Sequence, residues 1–188
     1  MHAKTVAEKK LEKLYKNHNW KQARNMILEL INNDSKNHFL WTRLASVQTE
    51  LHDTKNSLLA AKKAYQLKPN CPLVCWDYGN ILSANGHEKQ GLSVLNKILR
   101  MGTAASKGDC GQGVRDSRRL RNDARYIIGI CYYNLGKKNL SKKFIDKHIQ
   151  ARKKGVKSFF PLKIVKTWLY WPEKCIPNDV PSGEVRRR

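Results

Sequence analysis

No apolar run in the 188-residue chain approaches the roughly 18 residues that a membrane-crossing helix requires. The first residues, Met1-His2-Ala3-Lys4, carry neither an apolar core nor a small-residue cleavage site, so no secretory signal is expected. Cysteine is sparse and odd in number. Cys71, Cys75, Cys110, Cys131 and Cys175 form no Cys-x-x-Cys pair, so free, partly buried thiols in a reducing, cytoplasmic setting are expected. Cys71 and Cys75 stand one helical turn apart, but no second ligand pair follows at zinc spacing. The six histidines contain no His-x3-His pair. The glycine-rich stretch from Gly102 reaches Lys107-Gly108 without the Gly-Lys-Ser/Thr order of a phosphate loop. No catalytic, metal or cofactor constellation is read, and a non-enzyme without cofactors is expected.

Acidic residues are scarce too: 15 against 37 Lys and Arg, a net charge of +22. The imbalance sharpens along the chain, from 16 basic and 8 acidic residues in 1–101 to 21 and 7 in the remainder. Such a surface attracts polyanions, although lysine on exposed helix faces is also a plain helix former.

What is present is periodic. With starts at Lys4, His38 and Pro72, small residues recur at Ala23, Ser57 and Gly91. Apolar slots follow at Ile27, Ala61 and Leu95, then at Leu30, Ala64 and Ile98. A fourth copy begins near Asn122, with Gly129, Tyr132, Gly136, Ser141 and Ile145 in the matching places. A period of 34 residues predicts stacked helix–turn–helix units. The fold class expected is all-α, a right-handed α-solenoid of about four such repeats with a C-terminal capping helix. Repeats are expected at about 4–37, 38–71, 72–105 and 122–155, and the capping helix at about 158–171. The third and fourth units start 50 residues apart, so about 16 residues are inserted. Residues 103–121, rich in Gly, Ser and charge, read as a flexible basic loop. Residues 172–188, with three prolines and a terminal Arg186-Arg187-Arg188, read as a disordered basic tail. His18, His52 and His87, spaced by 34 and 35 residues, fall at inter-helix turns.

Trp41-x2-Leu44-Ala45 with Ala61 and Pro69, Tyr78-Gly79-Asn80 with Gly86 and Gly91, and Gly129 with Tyr132 and Asn134-Leu135-Gly136 together resemble the tetratricopeptide repeat family. The resemblance covers about residues 4–171. It implies that the first helix of each repeat lines a concave groove. Carried over, the groove positions include Tyr15, Phe39, Thr42, Ser46, Trp76, Asn80, Tyr126, Ile130 and Tyr133. This surface is aromatic and mostly uncharged, suited to an extended peptide, with about half of its aromatics expected to be exposed. The family's carboxylate-clamping subtype is not matched: the relevant places hold Glu8, Glu12, Arg43, Leu73 and Asp77, and the acids would repel a carboxylate.

The first functional expectation is therefore a non-catalytic adaptor or chaperone-like module binding a protein segment. The alternative is a scaffold on RNA or an anionic surface, held by Arg115, Arg118, Arg119, Arg121, Lys138, Lys142, Lys143, Lys147, Arg152, Lys153 and Lys154.

Overall fold

A computed structural model of the chain describes residues 5–101 and 114–170, the side chains of 114–116 and 167–170 excepted. Residues 102–113 of the expected insertion, and the tail, lie outside those residues. The described secondary structure is helical throughout: α1 Val6–Lys16, α2 Trp20–Asn33, α3 His38–Glu50, α4 Thr54–Leu67, α5 Pro72–Ala84, α6 Glu88–Arg100, α7 Val114–Asn134, α8 Lys138–Lys153 and α9 Leu162–Tyr170. The chain divides into two compact units, residues 1–69 and 70–188.

In the first unit α1 packs on α2, α2 on α3 and α3 on α4. Thr5 caps α1 through a reciprocal box with Glu8, and Asn37 and Asp53 cap α3 and α4 with their side chains. The buried stripe of α2 is Ala23, Ile27 and Ile31, at helical spacing. Along α4 the stripe is Ser57, Ala60, Ala61 and Ala64, small enough to bring α3 close. Ser57 Oγ lies 3.0 Å from the Ala45 carbonyl and donates to it.

In the second unit α5 pairs with α6, α7 with α8, and α9 packs on α8. Close approach again depends on small residues. A Cβ at Gly79 would stand 2.6 Å from Leu95 Cγ, and one at Gly129 would stand 2.6 Å from Ile145 Cγ1. Both pairs are 16 apart in sequence, so the branched side chain of the second helix fills the space that the first leaves empty. At the corresponding places of the preceding repeat stand Ala45 and Ala61, where the size is shared more evenly.

One turn geometry recurs. His18 (φ 55°), His52 (φ 57°), Gly86 (φ 74°) and Gly136 (φ 73°) are left-handed, each closing the first helix of its repeat. In each the following amide reaches back five residues: Asn19 to Leu14, Asp53 to Gln48, His87 to Leu82 and Lys137 to Tyr132. This pattern satisfies the last carbonyls of a helix. The periodic histidines are thus explained in two repeats, and His87 stands one place beyond the turn residue.

Three expectations need correction. Residues 114–121, read within the loop, are the first two turns of α7, with Ser117 and Leu120 buried. Helix α9 starts at Leu162, so residues 158–160 are not part of it. Among the described cysteines Cys75 and Cys131 are buried thiols, but Cys71 is disulfide-bonded. The thiol argument for a reducing compartment falls with it. No described helix is long and apolar enough to cross a membrane.

Candidate peptide-binding surface

The first helices of the second unit's repeats, α5 and α7, pack directly on one another. Trp76 and Asn80 lie one turn apart on α5, and Tyr126, Ile130 and Tyr133 follow each other at i+4 and i+3 on α7. Each set therefore shares one helix face, in the phase that the repeat pattern assigns to a groove.

Part of this surface is already covered by polypeptide. After Gly155 (φ 81°) ends α8, residues 158–160 run without helical structure across α5 and α7. The Phe159 ring sits 5.5 Å from Trp76, and the Arg119 guanidinium lies 4.1 Å from its centroid. Phe160 stacks at a tilt on Tyr126, centroids 4.6 Å apart, and Tyr126 in turn meets His148 at 5.5 Å. Trp76 and Tyr126 are consequently 4% and 3% exposed. Both were read as groove positions, where about half of the aromatics were expected to be exposed, and the chain's own phenylalanines close over these two.

Asp123 holds the segment. Its Oδ2 accepts the backbone N–H of Phe159 at 3.0 Å, and its Oδ1 accepts the Ser158 hydroxyl. Ser158 Oγ also receives the Phe160 N–H at 2.9 Å, which tightens the bend before Pro161. Asp123 is fully buried. Burial pushes its carboxyl up to about 6, against the pull of the Ser158 hydroxyl, the Phe159 N–H, and the Arg119 and Arg152 cations. Beside it, His148 Nδ1 is 2.8 Å from the Asn122 carbonyl. A carbonyl only accepts, so the neutral ring carries its proton on Nδ1. Burial lowers the His148 pKa, more than the Asn122 hydrogen bond raises it.

Beyond the covered part the face is more open. Asn80, Ile130 and Tyr133 are half-exposed. Ser83 and Cys131, deeper between the helices, are joined at 3.2 Å, the thiol donating. In the first unit Tyr15, Phe39 and Ser46 are half-buried and Thr42 is buried, its hydroxyl turned back to the His38 carbonyl at 3.0 Å. The Tyr15 hydroxyl donates to the Arg43 carbonyl at 3.2 Å, and its ring meets Trp20 edge-on at 5.4 Å.

The basic set separates into two classes. Lys138, Lys142, Lys143, Lys147, Lys153 and Lys154 are exposed on or just after α8, and Arg118 is exposed on α7. Lys142 pairs with Asp146 at 2.6 Å. Arg119, Arg121 and Arg152 are half-buried. Arg119 covers Phe159, and Arg121 Nη2 donates to the Leu99 carbonyl at 3.2 Å, so these two serve packing rather than an open phosphate site. The Arg115 side chain lies outside the described residues. Among the described residues no group of three or more His, Cys, Asp or Glu could hold a metal ion.

Sequence reasoning missed Asp123 and gave Phe160 to the capping helix. One signal was present: Pro161 disfavours helical backbone at Phe160, which sets the helix start beyond it.

No protein-family model and no curated protein matches the chain. Solved structures do. PilW, a widely conserved type IV pilus biogenesis factor, is 18% identical with a TM-score of 0.65, over 80% of this chain and 64% of its own. The RS-1 MamA double mutant is 15% identical with a TM-score of 0.61, over 77% and 72%. YrrB, described as a TPR protein with an unusual peptide-binding site, is 20% identical with a TM-score of 0.58, over 74% and 64%. The chain thus spans less than two thirds of PilW and of YrrB. At these identities the likeness speaks of architecture alone, and it agrees with the 34-residue period, the small-residue contacts and the recurring turns: the chain has the tetratricopeptide-repeat fold.

Proposed function

We propose that the protein is a non-catalytic interaction module that holds a short segment of a partner protein on the shared face of α5 and α7. One observation carries this reading. The face already receives a short non-helical stretch of polypeptide, with a backbone N–H and a hydroxyl taken by Asp123 and two aromatic rings seated on Trp76 and Tyr126. Asn80, Ile130 and Tyr133 continue the surface beyond that stretch. Asn80 supplies both a donor and an acceptor for a partner's backbone, and Ile130 and Tyr133 supply apolar area. Tyr15, Phe39 and Ser46 are the first unit's own candidates for such contacts. The YrrB description agrees in kind with this reading.

A second reading, binding to RNA or another polyanion, has the exposed lysines of α8 in its favour. Salt separates the two. Capture of partners by the full chain, with and without nuclease, is expected to survive a rise from about 50 to 200 mM salt and to fall on changing Asn80 and Tyr133 to Ala. Capture lost over that salt range, lost with nuclease, and abolished by neutralising Lys142, Lys143 and Lys147 would replace the peptide reading with the polyanion one.

A further inference from the structure

We propose that Trp76, Arg119, Asp123 and Tyr126 form a recognition site for a short non-helical peptide carrying a hydroxyl side chain followed by two aromatic residues. Residues 158–160 are a resident copy of that ligand, and a partner's segment of the same chemistry displaces them. This rests on the reading of the α5/α7 face given above and specifies its ligand.

The resident contacts define the ligand chemistry. Asp123 is acceptor-only when ionised, and its two oxygens take one hydroxyl and the next backbone N–H. That arrangement selects Ser or Thr directly before a residue whose backbone N–H is left unused by any helix. The first aromatic touches both the Trp76 ring and the Arg119 guanidinium, where an aliphatic side chain would forfeit the cation–π contact. The second lies on Tyr126, whose other neighbour, His148, is buried and fixes its position. A partner segment therefore reads hydroxyl, aromatic, aromatic.

Three observations mark the resident segment as displaceable rather than as core. Ser158, Phe159 and Phe160 remain half-exposed, whereas Trp76, Asp123 and Tyr126 beneath them are buried. Trp76 Nε1 is buried and meets no acceptor among the described residues, so the segment leaves a donor unsatisfied that an incoming backbone carbonyl would engage. The segment is also bounded by two fixed ends: the cap at Gly155, where the Val156 N–H returns to the Ala151 carbonyl at 3.0 Å, and Val165, the fully buried anchor of α9. Residues 157–161 are thus a short bridge that can leave the face while α8 and α9 keep their own packing.

The test uses a fluorescently labelled peptide copying residues 157–162 (Lys-Ser-Phe-Phe-Pro-Leu), titrated by anisotropy into the full chain. The variant Phe159→Ala/Phe160→Ala vacates the site in cis. It is expected to bind the peptide at least tenfold more tightly than the unaltered chain, and adding Asp123→Asn is expected to remove that gain. A probe with both phenylalanines replaced by alanine is expected not to bind. A helical, folded double variant that binds no better than the unaltered chain, or binding indifferent to Asp123, would overturn the proposal. Dimerisation of the unaltered chain abolished by Phe159→Ala would also overturn it, in favour of exchange between two copies. Should the double variant not fold, hydrogen exchange on the unaltered chain decides. The Phe159 amide is expected to exchange at least a hundredfold faster than the Ile128 amide; equal protection of the two would make the segment core and overturn the proposal. Partner capture that remains sensitive to Asn80→Ala and Tyr133→Ala while the peptide fails would confine the failure to this site and leave the interaction module standing.

Discussion

The buried carboxylate of Asp123 accepts the backbone N–H of Phe159 at 3.0 Å, across 36 residues of sequence. That bond, with the Ser158 hydroxyl on the other oxygen, ties the segment after α8 to the face of α7. Asp123→Ala leaves both donors without their acceptor, and a buried polar group so orphaned costs about 1–3 kcal/mol. The expected result is a lower urea midpoint at neutral pH with the denaturant slope unchanged, together with faster exchange of the Phe159 amide. Unchanged exchange there would show that Asp123 does not hold the segment.

The same carboxyl gives a signed pH dependence. Its folded pKa, about 6, lies above the ordinary 3.8, so folding takes up a proton in that interval. The stability it contributes is fully present below about 3.8 and is lost as pH rises through about 6. The unaltered chain should therefore lose stability relative to Asp123→Asn as pH is raised from about 4 to 6.5, by up to about 3 kcal/mol. Urea midpoints for both proteins across that range measure it, and a constant difference would contradict it.

His148 acts with the opposite sign. Burial holds its folded pKa below 6.5. Its contribution is present above 6.5 and is lost as pH falls through the folded value, because the charged ring must carry a proton on Nε2, which has no partner among the described residues. His148→Gln should remove part of the acid destabilisation of the second unit. Comparing the two proteins at pH 7 and pH 5 by thermal unfolding checks this: the gap between them should narrow or invert at the lower pH.

The repeat was legible because its packing is written at fixed offsets. Gly79 with Leu95 and Gly129 with Ile145 pair an absent Cβ with a branched side chain, and each pair is visible without coordinates. The turns were half legible. The histidine spacing pointed to them, but the conformational reason, left-handed backbone at 18 and 52, appears only beside Gly86 and Gly136. The covered site was not legible. Trp76 and Tyr126 occupy groove phase whether or not anything lies over them, and residues 158–160 bear no periodic relation to either. Arg119 and Arg121 looked like phosphate ligands by charge, and only their distances to Phe159 and Leu99 show them committed to packing.

The turn geometry predicts a gain in stability. A left-handed conformation costs an ordinary residue about 1–2 kcal/mol, while glycine adopts it freely but loses more entropy on folding. His52→Gly should therefore stabilise the first unit by about 0.5–1 kcal/mol, and Gly86→Ala should destabilise the second by about 1 kcal/mol. Denaturant unfolding of the two variants should move their midpoints in opposite directions.

Gly79 and Leu95 should show coupling. Gly79→Ala places a methyl group 2.6 Å from Leu95 Cγ, and overpacking of this kind costs about 1–3 kcal/mol. Leu95→Ala removes a fully buried side chain at about 2–5 kcal/mol. The double variant recreates the Ala45/Ala61 combination of the preceding repeat and should lose less than the two single losses added. Strict additivity would mean that α5 and α6 do not approach as described.

The claim that the α5/α7 face binds polypeptide is tested most directly by site-specific photocrosslinking. A photoreactive phenylalanine analogue is placed at half-exposed Ile130 of the full chain and, in a second preparation, at exposed Leu140 on α8. Both are irradiated in nuclease-treated native lysate at about 200 mM salt, where electrostatic contacts to nucleic acid are suppressed. The account predicts discrete protein adducts from position 130, lost on Asn80→Ala, and none from position 140. Adducts only from position 140, or adducts from 130 that appear only without nuclease, would contradict it.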